Sequence, residues 1–215
     1  MGSCCTLIAN RLQSAPSIPS LSECSLLLEG TILLDTLNLS TVSNKTTKED
    51  FAAVEWLEQH REKAVTQQSL FDSLCNAKYD ESFWSALSTQ EILEYDYKAC
   101  RTNAFKLGWS VALIPLKQVV GAAGFREELS GFAKKMGVDG MIISTVVLGN
   151  PPVREIAFFS TNERKTALFW NSVERFETEM QKRYACQMEE GEGHALKSTD
   201  PWSRKGVIPL LSSFF

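Results

Sequence analysis

The chain has 215 residues, of which 44% are hydrophobic and 22% are charged. This composition is typical of a globular protein and excludes collagen-like, coiled-coil and largely disordered classes. The formal net charge of −4 argues against sequence-independent binding of nucleic acid, which needs a strongly basic surface. A small anionic ligand is compatible with this charge, because a few well-placed cations can bind a phosphate.

The apolar runs and the cysteines bear on where the protein resides. No apolar run approaches the roughly 18 residues that cross a bilayer, so we predict no membrane span. The cysteines form no Cys-x-x-Cys pair, which predicts free, buried thiols in a reducing, cytoplasmic compartment. They are Cys4, Cys5, Cys24, Cys75, Cys100 and Cys186.

The first six residues, Met-Gly-Ser-Cys-Cys-Thr, match a short acylation pattern. One interpretation is a lipid anchor on Gly2 with palmitoylated cysteines beside it. The other, which we favour, is a Gly-Ser-Cys turn that opens a helix.

Residues 1–34 are nearly free of charge. They predict a helix Cys5–Leu12, a loop Ser14–Ser20 with two prolines, and an apolar helix from Ser20 or Ser22 to about Leu34. The segment is too short to enclose helices this apolar, so we expect it to pack on a region that these residues do not supply.

A polar loop, Asn44–Asp50, precedes the next helix. Thr47 and Asp50 have the spacing of a capping box for a helix Lys48–His60. Gln59–Gln68 is polar and weakly patterned, and is the best candidate for a linker.

The stretch from about residue 69 predicts an α/β domain, with a sheet flanked by helices. Its expected elements are helices Leu70–Ala77 and Ser88–Tyr95, a strand Trp109–Leu116, one helix Leu116–Met136, strands Gly140–Leu148 and Arg154–Ser160 paired as a hairpin around the turn Gly149–Pro152, a helix Asn162–Met180, edge strands Arg183–Gln187 and His194–Lys197 around an acidic turn Glu189–Gly193, and a last apolar helix from about Val207.

The sequence contains no complete catalytic motif. It lacks G-x-S-x-G, the P-loop and a strand-linked G-x-G-x-x-G. Its two histidines, His60 and His194, lie far apart in polar surroundings and are predicted to be surface residues.

Asp35 follows the apolar run Gly30–Leu34, and a carboxylate there needs compensation. Either it caps the following turn through its own backbone, or it is a metal ligand.

The segment Ser203-Arg204-Lys205 precedes the last helix. Because proline is tolerated in a first turn, Pro209 predicts a helix start near Gly206. Two cations at that end oppose the helix dipole, which favours a bound anion. The alternative is a solvated basic pair.

Taken together, ordered motifs across nearly the whole chain resemble the DHH-superfamily phosphohydrolases. The resemblance is strongest to prune-type and yeast-type exopolyphosphatases, with family II inorganic pyrophosphatases more distant. The motifs are Gly2-Ser3-Cys4-Cys5-Thr6, Gly30–Asn38 with Asp35, Lys45–Asp50 as K-x-T-x-x-D, Phe71–Leu74 with Ala77–Asp80, Asp96-Tyr97-Lys98 as D-x-K, and Ser203-Arg204-Lys205 with Pro209.

The resemblance implies a domain organisation. Residues 1–58 would be a helical, C-terminal part of the DHH phosphoesterase domain, and 59–68 a linker. Residues 69–215 would be the DHH-associated C-terminal domain, an α/β domain with a mixed sheet that binds substrate.

The resemblance also implies a chemistry. Two divalent cations, Mn²⁺ or Mg²⁺, would activate a hydroxide for attack on phosphorus. Asp35 would be a metal ligand, and Lys98, Arg204 and Lys205 would bind the phosphate of polyphosphate, pyrophosphate or a nucleotide.

The chain departs from the family pattern because it has no D-H-H triplet and no D-x-D. One carboxylate cannot hold two metals. We therefore expect this chain to represent the second half of a DHH domain with its C-terminal domain, as a natural short form or part of a longer protein. Three hypotheses remain: an incompletely represented hydrolase, a non-catalytic module that binds phosphate or protein partners, and an acylated adaptor.

Overall fold

We describe the protein from a computed structural model, which covers residues 1–15, 20–41, 46–61, 63–149, 151–188, 194–200 and 202–215. These residues form two compact units, Met1–Asp80 and Glu81–Phe215. None of the helices in these ranges is long and apolar enough to cross a membrane. Several predicted features fall outside the described residues, namely the prolines of the first loop, Lys45, Asn150 and the acidic turn Glu189–Gly193.

The first unit is helical. Its elements are α1 Cys4–Gln13, α2 Leu21–Thr36, α3 Lys48–His60 and α4 Gln67–Lys78. Thr47 and Asp50 form the predicted capping box at the start of α3. The inner faces of these helices share one apolar cluster, made of Ala9, Ile32, Leu33, Leu39, Ala53, Val54 and Leu57.

The predicted linker Gln59–Gln68 is not a free connection in the structure. His60 ends α3, the side chain of Arg61 is buried, and α4 begins at Gln67 and packs on α2. The compact units divide after Asp80 rather than within 59–68. The domain limits 1–58 and 69–215 therefore stay a prediction.

The second unit is an α/β unit built on a mixed six-stranded sheet. Its elements are α5 Glu81–Ala86, α6 Thr89–Tyr95, β1 Lys98–Arg101, β2 Lys106–Ala112, α7 Leu116–Val120, α8 Phe125–Met136, β3 Gly140–Val147, β4 Val153–Ser160, a 3-10 helix Glu163–Lys165, α9 Thr166–Tyr184, β5 Gln187–Met188, β6 Ala195–Ser198 and α10 Arg204–Leu211. The strand order is β1-β2-β3-β4-β6-β5, with β2 and β3 parallel and the other pairs antiparallel.

Side chains of the central strands point alternately to the two faces of the sheet, and helices cover both faces. Met141 and Ile143 of β3 face a cluster built with α6, α7 and α8, while Ile142 faces a cluster built with α9 and α10. The predicted hairpin of β3 and β4 is confirmed, with Gly140 opposite Ser160. The predicted fold class, an α/β sheet flanked by helices and preceded by a helical segment, is confirmed.

The prediction of one helix over Leu116–Met136 is wrong. The structure has α7 and α8, separated by residues 121–124, with Gly121 capping α7 and Gly124 at φ 75°. A left-handed residue cannot continue a helix, and glycine adopts this conformation without steric cost. The preceding strand ends at Ala112 rather than Leu116, because Pro115 is the N-cap of α7.

The two predicted edge strands are only partly correct. Arg183 lies in the last turn of α9, and the strand that follows spans just Gln187–Met188. The predicted strand His194–Lys197 is β6, displaced by one residue.

The last helix begins earlier than predicted. It starts at Arg204, with Ser203 as its N-cap and Pro209 inside it. Pro209 has no N–H to donate to the carbonyl of Lys205, so α10 lacks that helical hydrogen bond. Arg204 and Lys205 therefore belong to the first turn of the helix.

The cysteine prediction holds in part. All six are free thiols, but Cys186 is buried, Cys4 is exposed and the others are half-buried.

Candidate phosphate and metal sites

Asp35 lies in the last turn of α2, where its carboxylate is exposed. Its Oδ2 accepts a hydrogen bond from the Ser3 hydroxyl at 2.7 Å, and Ser3 is the N-cap of α1. The capping interpretation of Asp35 placed its partner in its own turn, whereas this partner lies 32 residues away. The structure thus brings two of the motif segments together at Asp35.

The backbone that follows Asp35 is unusual. Leu37, Asn38 and Leu39 all have left-handed φ values, between 52° and 59°. This conformation costs roughly 1–2 kcal/mol for each non-glycine residue, and such strain concentrates at functional sites. This strained segment begins two residues after Asp35, the predicted metal ligand.

The carboxylate of Asp50 accepts more hydrogen bonds than that of Asp35. From the sequence, Asp50 was predicted only to form the capping box with Thr47. It accepts hydrogen bonds from the Gly2 N–H, the Thr6 hydroxyl and both the N–H and the hydroxyl of Thr47. Burial alone would raise its pKa, but these donors outweigh burial and hold the pKa at about 2, below the ordinary 3.8. The Gly2 N–H is thus hydrogen-bonded to the Asp50 carboxylate. Helix α1 starts two residues after Gly2, as expected if the Gly-Ser-Cys turn opens a helix.

The described residues do not form a two-metal centre. They contain no group of three or more His, Cys, Asp or Glu side chains that could hold a metal ion. As the predicted metal ligand, Asp35 would contribute one carboxylate, whereas a catalytic divalent ion needs several ligands. No catalytic step through a metal can be derived from these residues.

In the second unit, a three-way contact joins the D-x-K and S-R-K motifs. Arg204 donates from Nη1 to the backbone carbonyl of Asp96 at 2.9 Å, and from Nη2 to the Asp96 carboxylate at 2.9 and 3.1 Å. Asp96 caps the end of α6, two residues before β1 begins at Lys98. The contact thereby joins two residues that lie 108 positions apart in the sequence.

The three predicted phosphate-binding residues differ in exposure. Arg204 has a side chain that is 14% exposed, while Lys98 and Lys205 are exposed. Within the described ranges, neither lysine forms an ion pair with a carboxylate. In the sequence, Asp96 is recognisable only as the first residue of the D-x-K motif. Its partner, 108 positions away, could not be identified from spacing.

His194, predicted as a surface residue, is partly exposed but has close partners. Its Nδ1 lies 3.0 Å from Glu177 Oε2, and its ring stacks on Trp170 with centroids 4.5 Å apart. Burial raises the pKa of Glu177 against the opposing hydrogen bond from His194. A cavity of about 370 Å³ is lined by His194 and Trp170, together with Arg126 and Phe158 among others.

Comparison with known proteins places these features in a family. A sequence model described as the DHHA2 domain matches residues 72–214. Exopolyphosphatase PRUNE1 of Bos taurus is 30% identical over 215 residues, which covers 98% of this chain and 47% of the bovine protein. The Homo sapiens protein of the same name matches with the same identity and coverage.

A solved structure shares the fold. The crystal structure of a Methanococcus jannaschii putative family II inorganic pyrophosphatase superposes with a TM-score of 0.66 at 19% identity, covering 100% of this chain and 65% of that one. The chain thus shares its α/β fold with that putative family II inorganic pyrophosphatase. It belongs to the DHH family as a prune-type protein with a DHHA2 domain. It spans about half the length of the two PRUNE1 relatives.

Proposed function

We propose that this chain supplies the substrate-phosphate-binding part of a metal-dependent phosphoanhydride or phosphodiester hydrolase, with polyphosphate or pyrophosphate as its ligand. The observation that carries the proposal is the Asp96–Arg204 contact, which joins the segments bearing Lys98 and Lys205. The names of the relatives, exopolyphosphatase and putative inorganic pyrophosphatase, support this ligand class.

The charges of this region favour an anion. Arg204 and Lys205 occupy the first turn of α10, where the helix dipole is positive and cations are unfavourable without a counter-ion. A phosphate would accept hydrogen bonds from the lysines and from the N–H groups of arginine not used by Asp96. In the hydrolytic reaction these cations would orient the phosphate and stabilise negative charge that develops on its oxygens.

The metal-dependent part of the proposal rests on the family resemblance. Asp35 would contribute one carboxylate ligand to Mn²⁺ or Mg²⁺, oriented by Ser3. The other ligands would have to come from the portion of the relatives that this chain does not match. Exposed leucines on α1 and α2, with Leu27 72% exposed, are compatible with a further layer of protein on this unit.

A binding experiment tests the phosphate site. Titration calorimetry with pyrophosphate, without metal, should show binding that weakens about tenfold in Lys98→Ala and in Lys205→Ala, the loss expected for one charged hydrogen bond. Lys134→Ala, an exposed lysine on α8, is the matched control and should bind normally. Unchanged binding in both site variants would reject the site.

An activity experiment tests the catalytic part. With Mn²⁺ and short polyphosphate, these 215 residues should show negligible turnover, while a chimera extended with the unmatched part of a PRUNE1 relative should be active. Robust hydrolysis by the 215 residues alone would contradict our assignment of the remaining metal ligands.

A second candidate function is a non-catalytic module that binds phosphate or protein partners. The lack of a metal-ligand cluster among the described residues favours it. It predicts that pyrophosphate binding persists, but that no extended form gains hydrolytic activity. The six free thiols support a cytoplasmic location for either function.

A further inference from the structure

The Asp96–Arg204 contact has a geometry that a simple surface ion pair does not need. Arg204 uses both terminal nitrogens, one on the carboxylate of Asp96 and one on its backbone carbonyl. This double contact fixes the plane of the guanidinium as well as its distance from Asp96. The arginine side chain is 14% exposed, whereas the Asp96 side chain is 46% exposed.

The contact restrains two elements that carry cations. β1 is a four-residue strand at the edge of the sheet, hydrogen-bonded to β2 on one side. Lys98 is the first residue of β1, and Asp96 lies two residues before Lys98 in the sequence. On the other element, Lys205 follows Arg204 in the first turn of α10. Restraining Asp96 against Arg204 therefore restrains Lys98 against Lys205.

The same contact offsets repulsion. Lys98, Arg204 and Lys205 carry like charges on two elements that the Asp96–Arg204 contact joins, and like charges repel. The Asp96 carboxylate offsets this repulsion before any ligand arrives.

We propose that Asp96 is a positioning residue of the phosphate site, which orients Arg204 and holds Lys98 and Lys205 ready for one polyphosphate or pyrophosphate anion. This inference rests on the proposed function. Asp96 does not itself touch the anion, since two acceptors of like charge do not bind each other. It acts through Arg204, whose remaining N–H groups stay available for phosphate.

An opposite role for Asp96 makes the opposite prediction. If Asp96 merely competed with phosphate for Arg204, its removal would strengthen anion binding. Overall charge predicts the same direction, because Asp96→Asn removes a negative charge near the site. A positioning role predicts weaker binding despite the more favourable net charge.

The experiment is calorimetric titration of the 215-residue chain with pyrophosphate. We expect Asp96→Asn to weaken binding roughly tenfold, a loss typical of removing an outer partner that orients a binding group. Asp96→Glu should restore part of the affinity, because it keeps a carboxylate. Glu127→Gln, an exposed carboxylate on α8, is the control for loss of charge and should leave the affinity equal or slightly higher.

Two further variants separate positioning from general destabilisation. Arg204→Lys keeps the charge but cannot make the double contact, so it should weaken binding as Asp96→Asn does. Asp96→Asn added to Arg204→Lys should cost little more, because both act through one contact. The melting temperature without ligand is measured for each variant. If Asp96→Asn does not fold, the single variants Arg204→Lys and Asp96→Glu test the positioning role instead.

The titration separates a failure of the positioning role of Asp96 from a failure of the proposed function. No pyrophosphate binding by the unchanged chain would overturn the proposed function and the inference with it. Binding that depends on Lys98 and Lys205, but is equal or tighter in Asp96→Asn, would overturn the positioning role alone.

Discussion

Arg61 and Glu29 form a buried ion pair that joins the end of α3 to the middle of α2. Arg61 Nε lies 2.5 Å from Glu29 Oε2, and the two side chains are 5% and 0% exposed. The same guanidinium also donates to Glu58 and to the Val65 carbonyl. Burial raises the pKa of Glu29, while Arg61 opposes this shift. The pair explains why the polar segment predicted as a linker is held against the first unit.

Removing Arg61 should therefore be strongly destabilising. Arg61→Ala leaves the Glu29 carboxylate buried without its partner, and we expect a loss of about 3–5 kcal/mol in the free energy of unfolding. Urea unfolding followed by circular dichroism measures this loss. Arg11→Ala, an exposed arginine on α1, is the control and should change stability by less than about 0.5 kcal/mol. A loss below about 1 kcal/mol in Arg61→Ala would contradict the structural role of the pair.

Asp50 should make the first unit sensitive to acid. The pKa of Asp50 is about 2 in the folded protein, below the ordinary 3.8. Its contribution to the free energy of unfolding is therefore present above about pH 4 and is lost as the pH falls towards 2. The shift corresponds to about 2 kcal/mol. Urea unfolding between pH 2.5 and 6 should show this loss in the unchanged protein and a flatter profile in Asp50→Asn. Glu55→Gln, an exposed carboxylate on α3, should keep the original profile.

Glu177 should have the opposite pH dependence. Burial raises the pKa of Glu177 in the folded protein above the ordinary 4.5. Its contribution to the free energy of unfolding is therefore present below pH 4.5 and is lost as the pH rises through the folded pKa. The neighbouring charged groups are His194, which opposes the shift, and Glu174, which adds to it. Glu177→Gln should remove this fall in stability above pH 4.5, as measured by thermal unfolding. Glu163→Gln, an exposed carboxylate that is not among the groups acting on Glu177, is the control and should keep the original dependence of stability on pH. If Glu177→Gln shows that same dependence, the raised pKa of Glu177 is refuted.

Two glycines of the second unit should respond to alanine in opposite directions. A Cβ at Gly140 would lie 2.3 Å from Cε2 of Phe169, so Gly140→Ala should destabilise by about 1–3 kcal/mol. Gly131 lies inside α8 with nothing within 4 Å of the added Cβ, and Gly131→Ala should stabilise by roughly 0.5–1 kcal/mol. Melting temperatures compare the two, and a fall in Gly131→Ala would contradict the open space at that position.

Local rules predicted the features whose partners lie close in the chain. The capping box that starts α3, and the strand β3 with its hairpin partner β4, depend on residues within one turn or one hairpin. The break between α7 and α8 was missed because glycine is compatible with a helix at a modest cost. The left-handed φ of Gly124 is visible only in the folded backbone.

The site shows the same division. The motifs predicted Lys98, Arg204 and Lys205 as phosphate-binding residues, but did not predict the carboxylate that contacts the arginine. It identified Asp35, but not Ser3 as its partner. In both cases two short polar segments meet across a long separation, and no local periodicity encodes that meeting.

The sequence by itself determined the fold class, most of the helices and strands, and the residue types that a phosphate ligand would need. These follow from apolar periodicity, caps and the chemistry of single side chains, which act over a few residues. The tertiary structure alone decided which charged and polar groups meet: Asp96 with Arg204, Glu29 with Arg61, and Asp50 with the Gly2 N–H and the Thr6 hydroxyl. Such pairings depend on burial and on the sheet and helix packing that closes loops of 32 to 108 residues.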